Sequence, residues 1–286
     1  MEAIEEVEST TVEPRRNDSV CIQPGSYLLE LSLDWIVLRA SENIHHLLRE
    51  SHVTLIEEPL GKFVHSQALH DLRNLFSKLS GTMGIGRAYA VRLTDDHDLV
   101  DIAFQLSDGR VLLEAVPTTG SFGECFGSVG GLIAGLANSH GQALLDGGAR
   151  RMRALTGFDR VTLVCGDSRA ESSRGAFAAR SSMSDDVPPM VSDCEGEPVF
   201  IFPRQSHETS AGDALLRSCD DAARAALGRD GVRASLRVPF SVDGNSAEFR
   251  CESRTPREPS FELHAAAELF AQLFAMRLEI DRLTNR

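Results

Sequence analysis

The sequence has very little lysine and lacks the short motifs that mark common enzymes. Lysine occurs only at Lys62 and Lys78, and neither belongs to a constellation typical of Schiff-base enzymes. The chain contains no Gly-x-Ser-x-Gly turn, no His-Glu-x-x-His helix and no phosphate-binding loop with its lysine. No catalytic residue is therefore predicted, and we expect the protein not to be an enzyme.

Paired cysteines and long apolar runs are also missing. The six cysteines include no Cys-x-x-Cys pair, which argues against a zinc knuckle or a disulfide framework. His45, His46 and His52 have no carboxylate or thiolate at matched spacing, so no metal site is predicted. No apolar run reaches the roughly 18 residues of a membrane span, and MEAIEEVEST lacks the pattern of a secretory signal. These absences predict a cytoplasmic protein that does not contact membranes.

Positive charge is scarce compared with negative charge. The chain has 29 basic and 42 acidic residues, a formal net charge of −13. A surface dominated by carboxylates repels phosphate backbones, so nucleic acid is excluded as a direct partner. The composition is otherwise that of a globular protein, and 286 residues are enough for two domains of ordinary size.

Hydrophobic patterns divide the chain into four parts. Residues 1–19 are polar and read as a flexible arm, and residues 20–119 alternate short β-rich runs with one amphipathic helix, SQALHDLRNLFSKL. Residues 120–150 are rich in glycine and predict a connecting segment. A second α+β domain is predicted over residues 151–286, including the strand VFIF, the helix AGDALLRSCDDAARAAL and a long closing helix.

Several segments, in order, resemble bacterial phytochromes. Ile22-Gln23-Pro24 resembles the Ile-Gln-Pro-His-Gly signature without its histidine, and ALTGFDRV, GVRASL and AAELFAQLF are similar to later segments of that family. The resemblance covers the chain from about residue 13 onwards. It implies a PAS domain followed by a GAF domain, each an antiparallel sheet flanked by helices, with a six-stranded sheet in the second.

The resemblance also implies a tetrapyrrole such as biliverdin in the second domain. Asp186, Val187 and Pro188 match the Asp-Ile-Pro turn that would face the pyrroles, and a turn before proline explains the same residues without a ligand. Ile22 and Cys21 belong to the arm that would reach the pocket, and Cys21 is either the attachment thiol or a small core residue.

Other positions of the resemblance lack the expected polar groups. Ala223 stands where a pigment-contacting histidine is expected, and Glu252 or Ser253 stands where a second histidine follows Cys251. The segment between Pro189 and Glu197 is short, which leaves the knot typical of phytochromes in question.

Two functions therefore stay open, and both are sensory rather than enzymatic. One is a chromophore-free regulatory or scaffold module that acts through protein contacts, and the other is a photoreceptor that binds biliverdin noncovalently. A third, a pocket refitted for a ligand such as haem, has no residue in its favour. Leu263, Ala266, Phe270, Leu273 and Ile280 recur at near-heptad spacing, so residues 262–284 predict a homodimer helix, with Phe270, Phe274 and Leu278 as its knobs. The downstream signalling partner is not identified by the sequence.

Overall fold

A computed structural model describes residues 20–79, 84–95, 99–120, 123–177, 187–204 and 211–284. Within these ranges the chain forms two antiparallel sheets and the helices that cover them. The strands are β1 (Cys21–Ile22), β2 (Tyr27–Leu31), β3 (Val37–Ser41), β4 (Gly86–Val91), β5 (Val100–Ser107), β6 (Arg110–Pro117), β7 (Arg160–Cys165), β8 (Ser168–Ser173), β9 (Met190–Val191), β10 (Val199–Phe202), β11 (Ala234–Val242) and β12 (Asn245–Ser253). The α-helices are α1 (His45–Leu48), α2 (His52–Leu55), α3 (Ser66–Leu79), α4 (Glu124–Ala134), α5 (Gly141–Thr156), α6 (Asp221–Arg229) and α7 (Phe261–Thr284). Short 3₁₀ turns occur at Glu42–Ile44, Leu60–Lys62 and Ala211–Asp213.

The first sheet has seven strands in the order β1-β10-β3-β2-β6-β5-β4. Its tightest connection is the β5–β6 hairpin, where Asp108 and Gly109 adopt positive φ angles of 48° and 72°, as the Asp-Gly signal predicts. One face of the sheet packs on α3, whose Leu69 and Leu72 are buried in the first core. The helix predicted from SQALHDLRNLFSKL is confirmed.

The second sheet has the order β8-β7-β12-β11-β9 in the described residues, five strands where six were expected. One of its faces carries apolar side chains at alternate positions and is covered by α4, α5 and α7. Phe249 of β12 lies at the centre of this core and packs edge-to-face on Phe270 and Phe274 of α7, with ring centroids 5.9 and 5.4 Å apart. The mixed α+β fold with antiparallel sheets is confirmed.

The glycine-rich segment forms two helices, α4 and the first half of α5, which meet at residues 135–140. Gly148 shows why one of these glycines is needed, since a Cβ atom there would lie 2.5 Å from the Phe274 ring. The helix therefore approaches α7 closely at this point, and packing rather than intrinsic propensity stabilises it.

Two element predictions are wrong. VFIF, expected in the second domain, is β10 of the first sheet, where it pairs with β3 and β1. The helix predicted over AGDALLRSCDDAARAAL begins only at Asp221, because Asp220 is its N-cap and accepts a hydrogen bond from the amide of Ala223 at 2.6 Å.

The closing helix α7 also differs from the prediction in its orientation. Phe270, Phe274 and Leu278, predicted as knobs for a partner helix, are buried in the chain's own core. The exposed apolar side chains of α7 lie on its other side. The packing of α7 on its own sheet therefore explains the near-heptad pattern.

Candidate functional site

The segment that carries the Ile-Gln-Pro motif lies between two other parts of the chain. Ile22 pairs with Val199 of β10 along one edge and forms an isolated bridge with Arg217 along the other. The chain between β9 and α6 thus contacts both edges of residues 21–22, although the segment that follows Pro189 is short. We call residues 190–192 and 215–218 the clasp.

Gln23 binds the clasp with both ends of its side-chain amide. Its Nε2 atom donates to the carbonyls of Met190 at 2.6 Å and Arg217 at 3.1 Å. Its Oε1 atom accepts from the backbone amide of Ser192 at 2.5 Å and from the Ser192 hydroxyl at 2.8 Å. Gln23 is buried, so these bonds replace all the water that the amide would otherwise bind.

The backbone of the same segment extends this contact. The amide of Gln23 donates to the carbonyl of Leu216 at 2.9 Å, and the carbonyl of Cys21 accepts from the amide of Ser218 at 2.7 Å. Cys21 is buried, and the Ile22 side chain lies in an apolar cluster with Leu28 and Leu112 of the first sheet. Ile22, predicted to contact a ligand, thus lies in an apolar cluster of the first sheet.

The residues predicted to face the pyrroles lie only partly within the described structure. Asp186 lies outside the described residues. Val187 and Pro188 are buried, and the Val187 carbonyl accepts a hydrogen bond from the Arg237 guanidinium at 3.1 Å. A backbone acceptor of the predicted site is therefore bound by a side chain of the same protein.

The segment after this turn packs directly on α6. Val187, Val191 and Cys194 form one apolar cluster with residues on α6 and its flanks, and Ala223 within it is completely buried. The cluster consists of Val187, Val191, Cys194, Cys219, Ala223, Leu227 and Val232. We call it the α6 cluster. Ala223, at the position of an expected histidine, supplies an apolar contact to it.

The second sheet has a polar face opposite the core. Strand alternation puts Arg160 and Thr162 of β7, Ser235 and Arg237 of β11, and the even-numbered residues of β12 on this side. The Arg160 Nε donates to the Glu252 carboxylate at 2.6 Å, and both side chains are at most 2% exposed. The two opposite charges compensate each other in this buried pair.

A second ion pair continues along the polar face. The Glu248 carboxylate accepts from Arg237 Nε at 2.6 Å and is also hydrogen-bonded to Arg250. Glu252, one of two residues at the position of an expected histidine, and Glu248 are thus both paired with arginines from neighbouring positions on the sheet. Ser253 lies on the other side of β12, where its hydroxyl reaches Asp159 at 3.4 Å.

Two hydroxyl groups lie buried on the polar face. The Oγ1 atom of Thr162 and the Oγ atom of Ser235 are buried and unpaired among the described residues. An unpaired buried hydroxyl costs free energy, so such atoms mark places where a polar group of another molecule would be stabilised.

A buried tetrapyrrole needs acceptors for its ring N–H groups, donors for its carbonyls and cations for its propionates. Of the described residues, Ala223 offers no polar atom, the Val187 carbonyl is bound to Arg237, and Glu252 is bound to Arg160. A cavity of about 50 Å³ next to the clasp, bordered by Met190 and Ser235, is far below the roughly 300 Å³ of the smallest usual ligand sites. At these three positions, the described residues therefore do not provide the polar contacts that a tetrapyrrole needs.

Neither a metal cluster nor a membrane-spanning helix occurs in the described part of the chain. Within the described ranges, no three or more His, Cys, Asp or Glu side chains are arranged to hold a metal ion. His45 and His46 are exposed, and His52 stacks on Phe202 with ring centroids 4.8 Å apart. No helix in the described part of the chain combines the length and hydropathy needed to cross a bilayer.

Sequence reasoning missed two residues that organise the site, Gln23 and Glu114. Gln23 stands inside the motif, but its partners are 167 or more residues away along the chain. Glu114 interrupts an apolar strand at a position that alternation assigns to a buried face, and this was the available signal. Its carboxylate accepts hydrogen bonds from two backbone amides of the clasp.

The fold of the chain is similar to that of several solved structures. No protein-family model matches the chain, and no curated protein matches it. Among solved structures, the chromophore-binding domain of Stigmatella aurantiaca phytochrome P1 is similar with a TM-score of 0.73 and 20% identity, over 92% of this chain and 98% of that one. The chromophore-binding domain of an unusual bacteriophytochrome from R. palustris is similar with a TM-score of 0.70 and 22% identity, over 94% and 99%.

A longer structure gives the same result. The photosensory core module of the Stigmatella aurantiaca phytochrome is similar with a TM-score of 0.75 and 21% identity, over 97% of this chain and 61% of that one. The chain therefore has the fold of a bacteriophytochrome chromophore-binding domain.

Proposed function

We propose that this protein is a phytochrome-like sensory module without enzymatic activity or chromophore, which regulates or scaffolds other proteins through direct contacts. In this proposal residues 20–119 form a PAS domain and residues 151–286 a GAF domain, with residues 120–150 connecting them. The fold supports the sensory class, because the similar structures are those of phytochrome photosensory domains.

The observation that carries the chromophore-free proposal is the α6 cluster. Ala223 is completely buried against the segment that follows the predicted pyrrole-facing turn. A pigment between α6 and this segment would have to separate them. The apolar side chains of the cluster would then contact the polar edge of the pigment. Each buried aliphatic side chain contributes about 1.5–3 kcal/mol, which opposes that separation.

The polar face supports the same proposal. A carboxylate at Glu252 repels the propionates and carbonyls of a tetrapyrrole, and its bond to Arg160 also occupies a cation that a propionate would need. Both groups lose partners if a ligand displaces either one, and an unpaired buried charge is strongly destabilising.

The alternative is a photoreceptor that holds biliverdin noncovalently. The unpaired hydroxyls of Thr162 and Ser235 favour it, since they would donate to a polar ligand lying over the second sheet. Asp186 and Cys21 belong to this alternative, Asp186 as the carboxylate that the resemblance implies next to the pyrroles and Cys21 as the candidate attachment thiol.

Absorption spectroscopy with biliverdin separates the two proposals. The full chain is incubated with biliverdin, and its spectrum is compared with those of the free pigment and of the Asp186→Ala variant, before and after red illumination. The chromophore-free proposal expects all three spectra to coincide. A structured red band that shifts on illumination, and that Asp186→Ala abolishes, would establish the photoreceptor instead.

A zinc-fluorescence gel of the same samples tests covalent attachment. The chromophore-free proposal expects no fluorescent protein band after denaturation. A band present in the unmodified chain and absent from Cys21→Ala would assign a thioether to Cys21.

The same proposal includes a homodimer formed through residues 262–284, in a different orientation from that expected from the sequence. Leu269, Met276, Ile280 and Leu283 are 38–70% exposed and fall within about 60° of one another around α7 at 100° per residue. We call these residues the α7 stripe. Their spacing allows a second copy of α7 to bury them while Phe270 and Phe274 stay in the core.

A further inference from the structure

Glu114 is a buried carboxyl group at the junction of the two sheets. It lies on β6 and faces away from the first core, on the same side as Leu112 and Val116. Leu112 packs in the cluster around Ile22, and Val116 packs in the core of the second sheet. Glu114 therefore stands between two apolar clusters, and it is only 3% exposed.

The carboxyl group holds one end of the clasp. Its Oε2 atom accepts from the amide of Leu215 at 2.9 Å, and its Oε1 atom accepts from the amide of Leu216 at 2.8 Å. The same two peptide units lead onward, because the Leu215 carbonyl accepts from Met190 at 3.3 Å and the Leu216 carbonyl accepts from Gln23 at 2.9 Å. Glu114 thus connects the first sheet, through the clasp, to β9 of the second sheet and to the Ile-Gln-Pro segment.

Among the described residues, no positively charged side chain is bonded to this carboxylate. Within the described ranges, the charged or titratable side chains on the surrounding elements are Tyr27, Glu30, Asp101, Arg110, Asp213, Arg217 and Cys21. Glu30 is paired with Arg39 and Arg110, Asp101 accepts from Ala90 and Thr118, and Asp213 accepts from Ser107. In the part of the chain that the structure describes, Glu114 accepts hydrogen bonds from backbone amides alone.

Burial therefore dominates the ionisation of Glu114. Desolvation raises its pKa to about 7, although the two backbone hydrogen bonds act in the opposite direction. A solvated glutamate has a pKa of about 4.3. The closed junction consequently binds a proton more tightly than a junction opened to water.

We propose that Glu114 makes the clasp a proton-sensitive junction, in which loss of the proton favours opening of residues 215–218 and uptake of the proton favours closure. The sign follows from linkage: the state with the higher proton affinity, the closed one, is favoured as pH falls. Opening lets water reach the ionised carboxylate and releases the bonds between the clasp and Gln23. The junction then changes how firmly the two sheets and the N-terminal segment are held together, whether or not a pigment is bound.

Hydrogen exchange of the full chain tests this inference. The protection factor of residues 211–218, corrected for the intrinsic pH dependence of exchange, is expected to fall about tenfold between about pH 6 and about pH 8. Glu114→Gln, which cannot ionise, is expected to remove this dependence. Glu262→Gln is the matched control, because Glu262 is also buried and also accepts from two backbone amides, those of Gly123 and Cys125.

A second readout does not rely on a variant that folds well. The infrared band of a protonated buried carboxylic acid is expected in the unmodified chain at about pH 6, decreasing as pH rises through about 7. Equal pH dependence of protection in the unmodified chain and Glu114→Gln, or no dependence in the unmodified chain, would overturn the inference. The absence of a titrating buried acid band would overturn it as well.

Discussion

At the scale of single residues, the site depends on polar groups that find their partners inside the protein. The Gln23 side-chain amide binds the clasp through both its nitrogen and its oxygen. Arg160 and Glu252 form an ion pair on the polar face. These arrangements contribute because the alternative, a buried group without a partner, is strongly unfavourable. They also make the effect of a substitution depend on which partner is left behind.

Gln23→Ala is expected to destabilise the fold. The substitution leaves the Met190 carbonyl and the Ser192 amide without partners in a buried position, which costs about 1–3 kcal/mol for each group that water does not reach. Urea denaturation measures the free energy of unfolding. Gln67→Ala, an exposed glutamine on α3, is the control and should change stability by less than about 0.5 kcal/mol.

Glu252→Ala is expected to lower the free energy of unfolding by about 3–5 kcal/mol, since it removes the carboxylate bound to a buried Arg160. Replacing both partners, as Arg160→Met with Glu252→Leu, should recover most of that loss because no buried charge remains. Thermal and urea denaturation of the two variants provide the comparison. A double variant as unstable as the single one would show that the ion pair is not the cause.

At the scale of elements, α7 holds the helices beside it through the carboxylates near its two ends. Glu262 accepts from the amides at the start of α4, and Asp281 accepts from Gly141 at the start of α5 at 2.9 Å. Negative charge at a helix N-terminus is favourable because the first amides lack partners. The carboxylates of α7 thereby bind the first turns of α4 and α5.

Asp281→Ala is expected to destabilise the start of α5 by about 0.5–2 kcal/mol, as the loss of an N-terminal cap does. The bond to Gly141 and the pairing with His140 lower the pKa of Asp281, so its contribution is present above its ordinary pKa and is lost as pH falls through the lowered value. Denaturation at neutral pH measures the effect. Asp71→Ala, on the exposed face of α3, is the control and should leave stability nearly unchanged.

The α7 stripe gives a prediction about assembly. Met276→Glu with Ile280→Glu puts charge on side chains that are 59% and 56% exposed, so it should leave the fold intact and abolish the dimer. Sedimentation equilibrium measures the oligomeric state. Val53→Glu, 73% exposed on α2, should leave the dimer unchanged, and an unmodified chain that is monomeric at high concentration would contradict the proposal.

Elements were predictable from the sequence where local pattern decides them. The β5–β6 hairpin and α3 follow from the Asp-Gly turn and a single apolar face. The sheet that β10 joins did not follow, because a short apolar strand fits either sheet and long-range pairing decides between them. The prediction of which α7 side chains face a partner was wrong for a related reason. A near-heptad pattern does not say whether its apolar side chains face the chain's own sheet or a second helix.

The site was predictable to a smaller extent. The sequence indicated that Ala223, and either Glu252 or Ser253, stand at the positions of expected histidines. In the structure, Ala223 lies in an apolar cluster and Glu252 is ion-paired. The partner Arg160 is 92 residues from Glu252, and nothing in the local sequence links them. Asp186, the most distinctive predicted contact, lies outside the described residues.

At the scale of the whole molecule, the two sheets are joined by the clasp and by a polar contact between β4 and α7. Arg87 donates to the Nδ1 of His264 at 3.0 Å and forms an ion pair with Glu268 at 2.8 Å. His264 is only 3% exposed, so it is buried where the first sheet meets the long helix. A substitution that breaks either contact therefore weakens the packing of the two sheets against each other.

His264 gives the molecule an acid-sensitive contact. Burial, reinforced by Arg87, lowers the pKa of His264 to about 3, so the unfolded chain binds this proton more readily than the folded one. The contribution of neutral His264 is complete above about pH 6.5 and is lost by up to about 1.4 kcal/mol per pH unit below it. The difference in unfolding free energy between the unmodified chain and His264→Asn should therefore shrink on acidification, and a constant difference would contradict this assignment.

In the proposed function, the α6 cluster is a closed core and not a pigment pocket. Hydrogen exchange of residues 187–194 and 220–230, measured with and without biliverdin, tests this most directly. We predict slow exchange in both segments and no change when biliverdin is added. Fast exchange in the free protein that becomes slow on adding the pigment would contradict the account and show that biliverdin binds between these segments.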